Sequence, residues 1–242
     1  MDTAHMDALH IKAVLFDMDG LLLDTESLAM RGLEQAAAEM GISAPESFRY
    51  AMIGVPADHC RVLIEERFGL GFPAEDYLVA ASRHMNVMIE AGALQLKPGV
   101  RCLLSHLEAL EIPKAVATSS SRVKAERHLR STGILDRFDA VVTRDDVARG
   151  KPHPDLFLQA AQRLGMRAGH CLALEDSYNG VRAAHAAGAT VIMVPDLLPP
   201  TNEMRERCAL IATDLHAVRP LSLPPLPWTS TAPTSAGKAE AA

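Results

Sequence analysis

The chain has 242 residues, of which 48% are apolar, and a formal net charge of −6. That length accommodates one large domain, or a core carrying a smaller insert, with enough apolar material for a sizeable interior. The acidic balance excludes the basic stripe that a nucleic-acid binder needs to neutralise phosphates, and it requires any anion site to carry local positive charge.

In chain order, residues 1–10 read as an N-terminal extension, and 11–17 (IKAVLFD) form a short apolar run of strand formers, the pattern of a strand covered on both faces. Helical stretches follow at 26–40, 57–68 and 75–91, ending at Gly41, Gly69 and Gly92, with no convincing strand between them. Alternation then resumes. Strand-like runs at 113–118, 139–142, 170–175, 189–194 and 209–212 are separated by amphipathic segments at 99–110, 121–132, 153–165 and 177–187. In the third of these segments Leu156, Phe157, Ala160, Ala161 and Leu164 share one helical face. Strands alternating with helices of this length predict parallel α/β architecture with right-handed crossovers. The expected organisation is an α/β core over 11–24 and 97–218, a helical insert over 25–96 and a disordered Pro-, Ser-, Thr- and Ala-rich tail over 219–242.

Ligands of open parallel sheets sit beyond the carboxyl ends of the strands, so the polar residues placed there matter most. The first strand runs into Asp17-Met18-Asp19-Gly20, the second into Thr118-Ser119-Ser120-Ser121, the third across a short loop into Gly150-Lys151-Pro152, and the fourth into Glu175-Asp176-Ser177. Each alone is compatible with ordinary structure: a turn, a helix cap or a solvated lysine. Together they match phosphoryl transfer through an aspartyl-phosphate. Asp17 is ionised at neutral pH without a helper base and suits the nucleophile; Asp19 could protonate the leaving oxygen and later deprotonate water. Mg²⁺ would screen the approach of carboxylate to phosphate, anchored by Asp17, Asp19, Glu175 and Asp176. Thr118, Ser119 and Lys151 would hold the phosphate oxygens.

DMDGLLLDT, AVATSSS, GKPHPD and LEDSYNG resemble, in order and spacing, the four motifs of the haloacid dehalogenase superfamily, in the subgroup of β-phosphoglucomutase-like and sugar- or nucleotide-phosphate phosphatases. The resemblance spans about 11–212. It implies a Rossmann-like parallel-sheet core with an inserted α-helical cap domain that closes over the substrate. It also implies Asp17 as nucleophile, Asp19 as acid/base, Thr118 and Lys151 as phosphate ligands and Asp176 as a metal ligand, with Glu175 binding the metal directly or through water. A cis bond before Pro152 is a further implication.

Among rival activities, a dehalogenase has no leaving oxygen to protonate and typically lacks the counterparts of Asp19 and Asp176. The resembling phosphomutases carry a cap His and a cap Arg where this chain has Ala29 and Ala57, so hydrolysis is the first choice and a β-phosphoglucomutase-like phosphomutase the alternative. A phospho-receiver-like signalling module shares the Asp, Thr and Lys but places its acidic pair before the phosphorylated Asp, and an inactive scaffold would be expected to have lost one of the six residues. The expected substrate is a small phosphorylated metabolite, a sugar phosphate first and a nucleoside monophosphate second. Its leaving group would be read by Glu26, Met52, Gly54 and the Asp58-His59 region. Met85 and Met88 read as cap packing, Met18 as loop packing and His153 as a helix-start residue.

Cys60, Cys102, Cys171 and Cys208 are scattered without a CxxC pair, the usage of a reduced cytoplasmic protein. No run approaches a membrane span, and MDTAHMDALH lacks the apolar core of a signal peptide. A monomer is expected, with a dimer left open by the sequence, and the scattered histidines give no expectation of zinc.

Overall fold

The computed structural model describes residues 11–53, 55 and 57–218; the expected N-terminal extension, the C-terminal tail, Gly54 and the side chain of Ala57 lie outside that set. Six strands, β1 (Ala13–Phe16), β2 (Lys114–Ala117), β3 (Ala140–Val142), β4 (Cys171–Glu175), β5 (Thr190–Met193) and β6 (Leu210–Ile211), form one sheet in the order β3-β2-β1-β4-β5-β6. All five pairings are parallel.

β1, β2 and β4 are buried along their whole length, as strands covered on both faces must be. Alternate side chains feed two separate interiors. Val14 and Phe16 join Val116, Leu172 and Leu174 on one face; Ala13 and Leu15 join Ala115, Ala117 and Ala173 on the other. The first face is covered by α5 (Val100–Ala109) and α6 (Arg122–Ser131), through Leu103, Leu104, Ala125 and Leu129. The second is covered by α7 (Asp155–Arg163), α8 (Tyr178–Ala186) and the short α9 (Asn202–Arg207), through Leu156, Phe157, Val181 and Met204. A last short helix, α10 (Leu215–Val218), returns to the first face through Leu215. The result is the expected α/β core. Two short helices near its end, α9 and α10, were not among the predicted elements, because neither is long enough to show a periodic apolar stripe.

Between β1 and α5 the chain builds the inserted helical cap: α1 (Thr25–Glu39), α2 (Glu46–Tyr50), α3 (Ala57–Phe68) and α4 (Ala74–Glu90). It has its own interior of Leu33, Ala36, Ile64, Tyr77 and Ala81. α1 and α4 approach closely because Gly32 faces the Ala81 carbonyl, where a Cβ would stand only 2.6 Å from the oxygen; the buried Tyr77 hydroxyl donates to the Leu33 carbonyl across 2.9 Å. The two chain crossings into this insert run side by side. Leu23 bridges Leu96, the Asp24 amide donates to Gln95 and the Lys97 amide to Leu22. Lys97 further ties the return crossing to the loop after β5 through Asp196, at 2.6 Å.

Candidate active site

The strand order brings the motif residues together. β1 sits between β2 and β4, and neighbouring parallel strands lie ~4.8 Å apart, so the residues that leave their carboxyl ends are forced into one cluster. Asp17 leaves β1 with its amide donating to Leu174 at 3.0 Å, and Thr118 leaves β2 with its amide donating to Val142 at 3.0 Å. Glu175 ends β4, and Lys151 reaches in from the loop after β3, its peptide bond to Pro152 being cis.

Lys151 is the centre of the cluster. Its ammonium, on a side chain only 5% exposed, bonds both the Asp17 and the Glu175 carboxylates, and it lies over the Phe157 ring, 5.1 Å from the centroid. The second Glu175 oxygen accepts from the Asp176 and Ser177 amides and from the Ser177 hydroxyl at 3.0–3.3 Å. Gly180, in the first turn of α8, leaves room for that carboxylate, since any Cβ there would overlap it. Gly20 does the same for Asp176 while holding a left-handed φ of +84°. Thr118 is almost fully buried and its Oγ1 accepts from the Ser120 amide at 3.0 Å; Ser119 is exposed.

Carboxylate oxygens of Asp17, Glu175 and Asp176 come within 4.8 Å of one another. When all three are ionised, these buried carboxylates exceed the single ammonium by two negative charges. The strain shows in their proton affinities. Burial pushes Asp17 up to about 8 although Lys151 opposes it, and burial followed by the Asp17 and Glu175 charges holds Asp176 well above the usual carboxylate range. Lys151 is held above its ordinary value by the same two carboxylates, against the effect of its own burial. An all-oxygen donor set with two surplus charges fits a hard divalent cation. Asp19 stands outside this triad.

Asp19 is held from another side. Ser120 Oγ donates to its Oδ2 at 2.6 Å, and Lys124 Nζ stands 3.7 Å from its Oδ1. Neither Ser120 nor Lys124 was a predicted site residue; both contacts cross about a hundred positions of chain, and only the SSS run before α6 hinted at the first. The cluster opens into a cavity of about 820 Å³ lined by Asp17, Asp19, Thr118, Ser119, Lys151 and Asp176 on the core side. Glu175 lies behind these, fully buried. The cap supplies Glu26, Ala29, Ile53, Val55 and Met85 to the same cavity. Met85, expected as packing, therefore also faces the site, whereas Met88 is buried in the interior and Met18 is fully buried beneath the loop. His59 is exposed on α3 and does not line the cavity, and Met52 is buried in the cap interior. Arg144 and Asn179 complete the polar wall.

Glu26 is the cap group most perturbed by this setting. Burial, then the Asp19 and Asp196 charges, raise it from 4.5 to about 7. Below the lower value both folded and unfolded chains hold the proton; between the two only the folded chain does, so this group's contribution to stability falls as pH rises through that window. Glu26→Gln, measured by thermal melts of metal-free protein, should therefore stabilise at pH 8 by roughly 2 kcal/mol, the full shift being discounted for partial exposure. The gain at pH 5 should be markedly smaller. An equal gain at both pH values would show that Glu26 is not held protonated by this environment.

Comparison with known proteins agrees with this geometry. The profile of the haloacid dehalogenase-like hydrolases matches residues 11–188. A probable pseudouridine-5'-phosphatase of Drosophila melanogaster is 36% identical over 188 residues, 75% of this chain and 80% of that protein. The phosphorylated carbohydrates phosphatase of Thermotoga maritima is 31% identical over 178 residues, 74% of this chain and 82% of that one. Among solved structures, CbbY from Rhodobacter sphaeroides in complex with phosphate superposes with a TM-score of 0.68 at 27% identity, covering 86% of this chain and 96% of that one. Among the described residues no helix is long and apolar enough to cross a membrane.

Proposed function

The chain belongs to the haloacid dehalogenase-like hydrolase family, and within it we propose a Mg²⁺-dependent phosphatase that hydrolyses a small phosphorylated metabolite through a phosphoryl group carried on Asp17. The observation that carries the reading is the convergence of Asp17, Glu175 and Asp176 around Lys151 at the floor of a cavity roofed by the cap.

In this reading Asp17 attacks phosphorus in line. Lys151 and the Thr118 hydroxyl, with the Ser119 amide, bind the equatorial oxygens where charge must be stabilised. Asp19, oriented by Ser120, gives its proton to the leaving oxygen and recovers one from the water that cleaves the acyl phosphate. Asp17 and Asp176 would hold the cation, Glu175 acting directly or through water; the ion supplies neutralisation of the phosphate charge during attack. We read 25–96 as the cap that closes over the substrate and excludes water, and 11–24 with 97–218 as the catalytic core.

The leaving-group wall combines Ala29, Ile53, Val55 and Met85 with Glu26 and Asn179. That mixture supports a modest polar metabolite with an apolar face, a sugar phosphate or a nucleoside monophosphate, the two classes named for the Thermotoga and Drosophila relatives. The described cap residues that line the cavity, Ala29 among them, include no cation to grip a second phosphate, which favours hydrolysis over phosphomutase chemistry.

The test is release of phosphate from p-nitrophenyl phosphate, followed by a screen of phosphorylated metabolites ranked by kcat/KM. Turnover should fall at least a hundredfold in EDTA and return with Mg²⁺. Sustained activity in EDTA, or no turnover beyond one equivalent with the ion present, would exclude the reading; the second result is the one a receiver-like module or an inactive scaffold predicts.

A further inference from the structure

His128, in the last turn of α6, is fully buried, and neither ring nitrogen has a hydrogen-bond partner among the described residues. Leaving a donor and an acceptor unpaired inside a protein is costly, so packing alone would favour an aliphatic side chain of similar volume at this position. The helix around it has a direction. Lys124, four residues earlier and so on the same face, places its ammonium 3.7 Å from Asp19 Oδ1; Ser120, four residues earlier again, donates to Asp19 Oδ2 at 2.6 Å. Lys124 and His128 thus share one face of α6, whose N-terminal end meets the Asp19 carboxylate through Ser120 and Lys124. Asp19 Oδ1 is itself buried, with no hydrogen-bond partner among the described residues. Burial drives the imidazole down to about 4, and the Asp19 charge is the next largest influence on it. The ring is therefore neutral and offers one donor and one acceptor.

We propose that His128 is a positioning residue for Asp19, its ring nitrogen engaging Oδ1 through one ordered water and fixing the carboxylate rotamer that faces the reacting oxygens. A water shared by a carboxylate oxygen and an imidazole satisfies both buried groups at once. Ser120 then fixes one carboxylate oxygen and His128 the other, which Lys124 also faces across 3.7 Å. The inference rests on the reading of Asp19 as the acid/base of a phosphatase.

The experiment compares wild type, His128→Leu and His128→Gln with p-nitrophenyl phosphate and Mg²⁺, with a thermal melt of each. Leucine fills the space and removes both unpaired nitrogens, so its melting temperature should hold or rise while kcat falls about tenfold or more and KM stays within twofold. Glutamine keeps a donor and an acceptor and should restore most of the lost kcat. The proposal is overturned if His128→Leu keeps kcat within twofold of wild type, or if both variants lose activity equally along with a fall in melting temperature, the signature of a packing residue. A wild type that releases no phosphate would instead remove the phosphatase reading, and this proposal with it; an active wild type with an unaffected leucine variant removes the proposal alone.

Discussion

Asp17→Asn is expected to lower kcat by at least about a thousandfold, the scale seen when a covalent nucleophile is removed. The amide has no charge to direct at phosphorus and makes a poor acyl phosphate. Acid-quenched wild type given labelled substrate should carry phosphate on position 17, and the variant should carry none. The fold should tolerate the change. Lys151 keeps Glu175 as its partner, and losing a carboxylate that burial already pushes up to about 8 relieves the crowding of like charge around Asp176. A variant that melts near wild type and does not turn over therefore isolates the chemistry from the folding. Label recovered on another residue, or a rate within tenfold of wild type, would remove the mechanism.

The strands were legible because their sequence carries the cause of their burial. The AVLF of IKAVLFD has no polar side chain to face water, and the carboxylate that follows it has to meet a compensating charge. Fold class followed from the alternation of such runs with helices, and the motif residues from their position at strand ends. Pattern alone could not give the strand order that seats β4 beside β1. Contacts between distant segments stayed hidden. Ser120 was compatible with a helix cap, and nothing in the pattern singled out Lys124, until Asp19 stood next to them. Met85 carries the stripe of a packing residue, and α4 lies where that stripe borders the cavity as well as the interior. His59 was drawn to the site by its proximity in sequence to the loop entering the cap, but α3 turns it to solvent. α2, five residues long, has too few turns to show any period.

Lys151 carries the second large expectation, because its charge serves both the folded state and the reaction. In the absence of metal it is the cation that the Asp17 and Glu175 carboxylates share, on a side chain 5% exposed. Lys151→Met keeps the length and the contact with the Phe157 ring but leaves the carboxylate cluster without its partner. Breaking a buried pair in this way costs about 3–5 kcal/mol, most of it from the charge left uncompensated. A divalent ion should recover part of that loss by binding the folded state alone, so the rise in melting temperature on adding Mg²⁺ should be larger for the variant than for wild type. Activity should not follow stability. With the ion saturating and the variant folded, kcat should remain at least about a hundredfold down, since the ammonium acts on equatorial oxygens whose charge grows toward the transition state. A metal-free variant melting within a degree or two of wild type would mean that the three carboxylates do not depend on Lys151 for their compensation. In that case the argument from surplus charge to a bound cation would lose its premise.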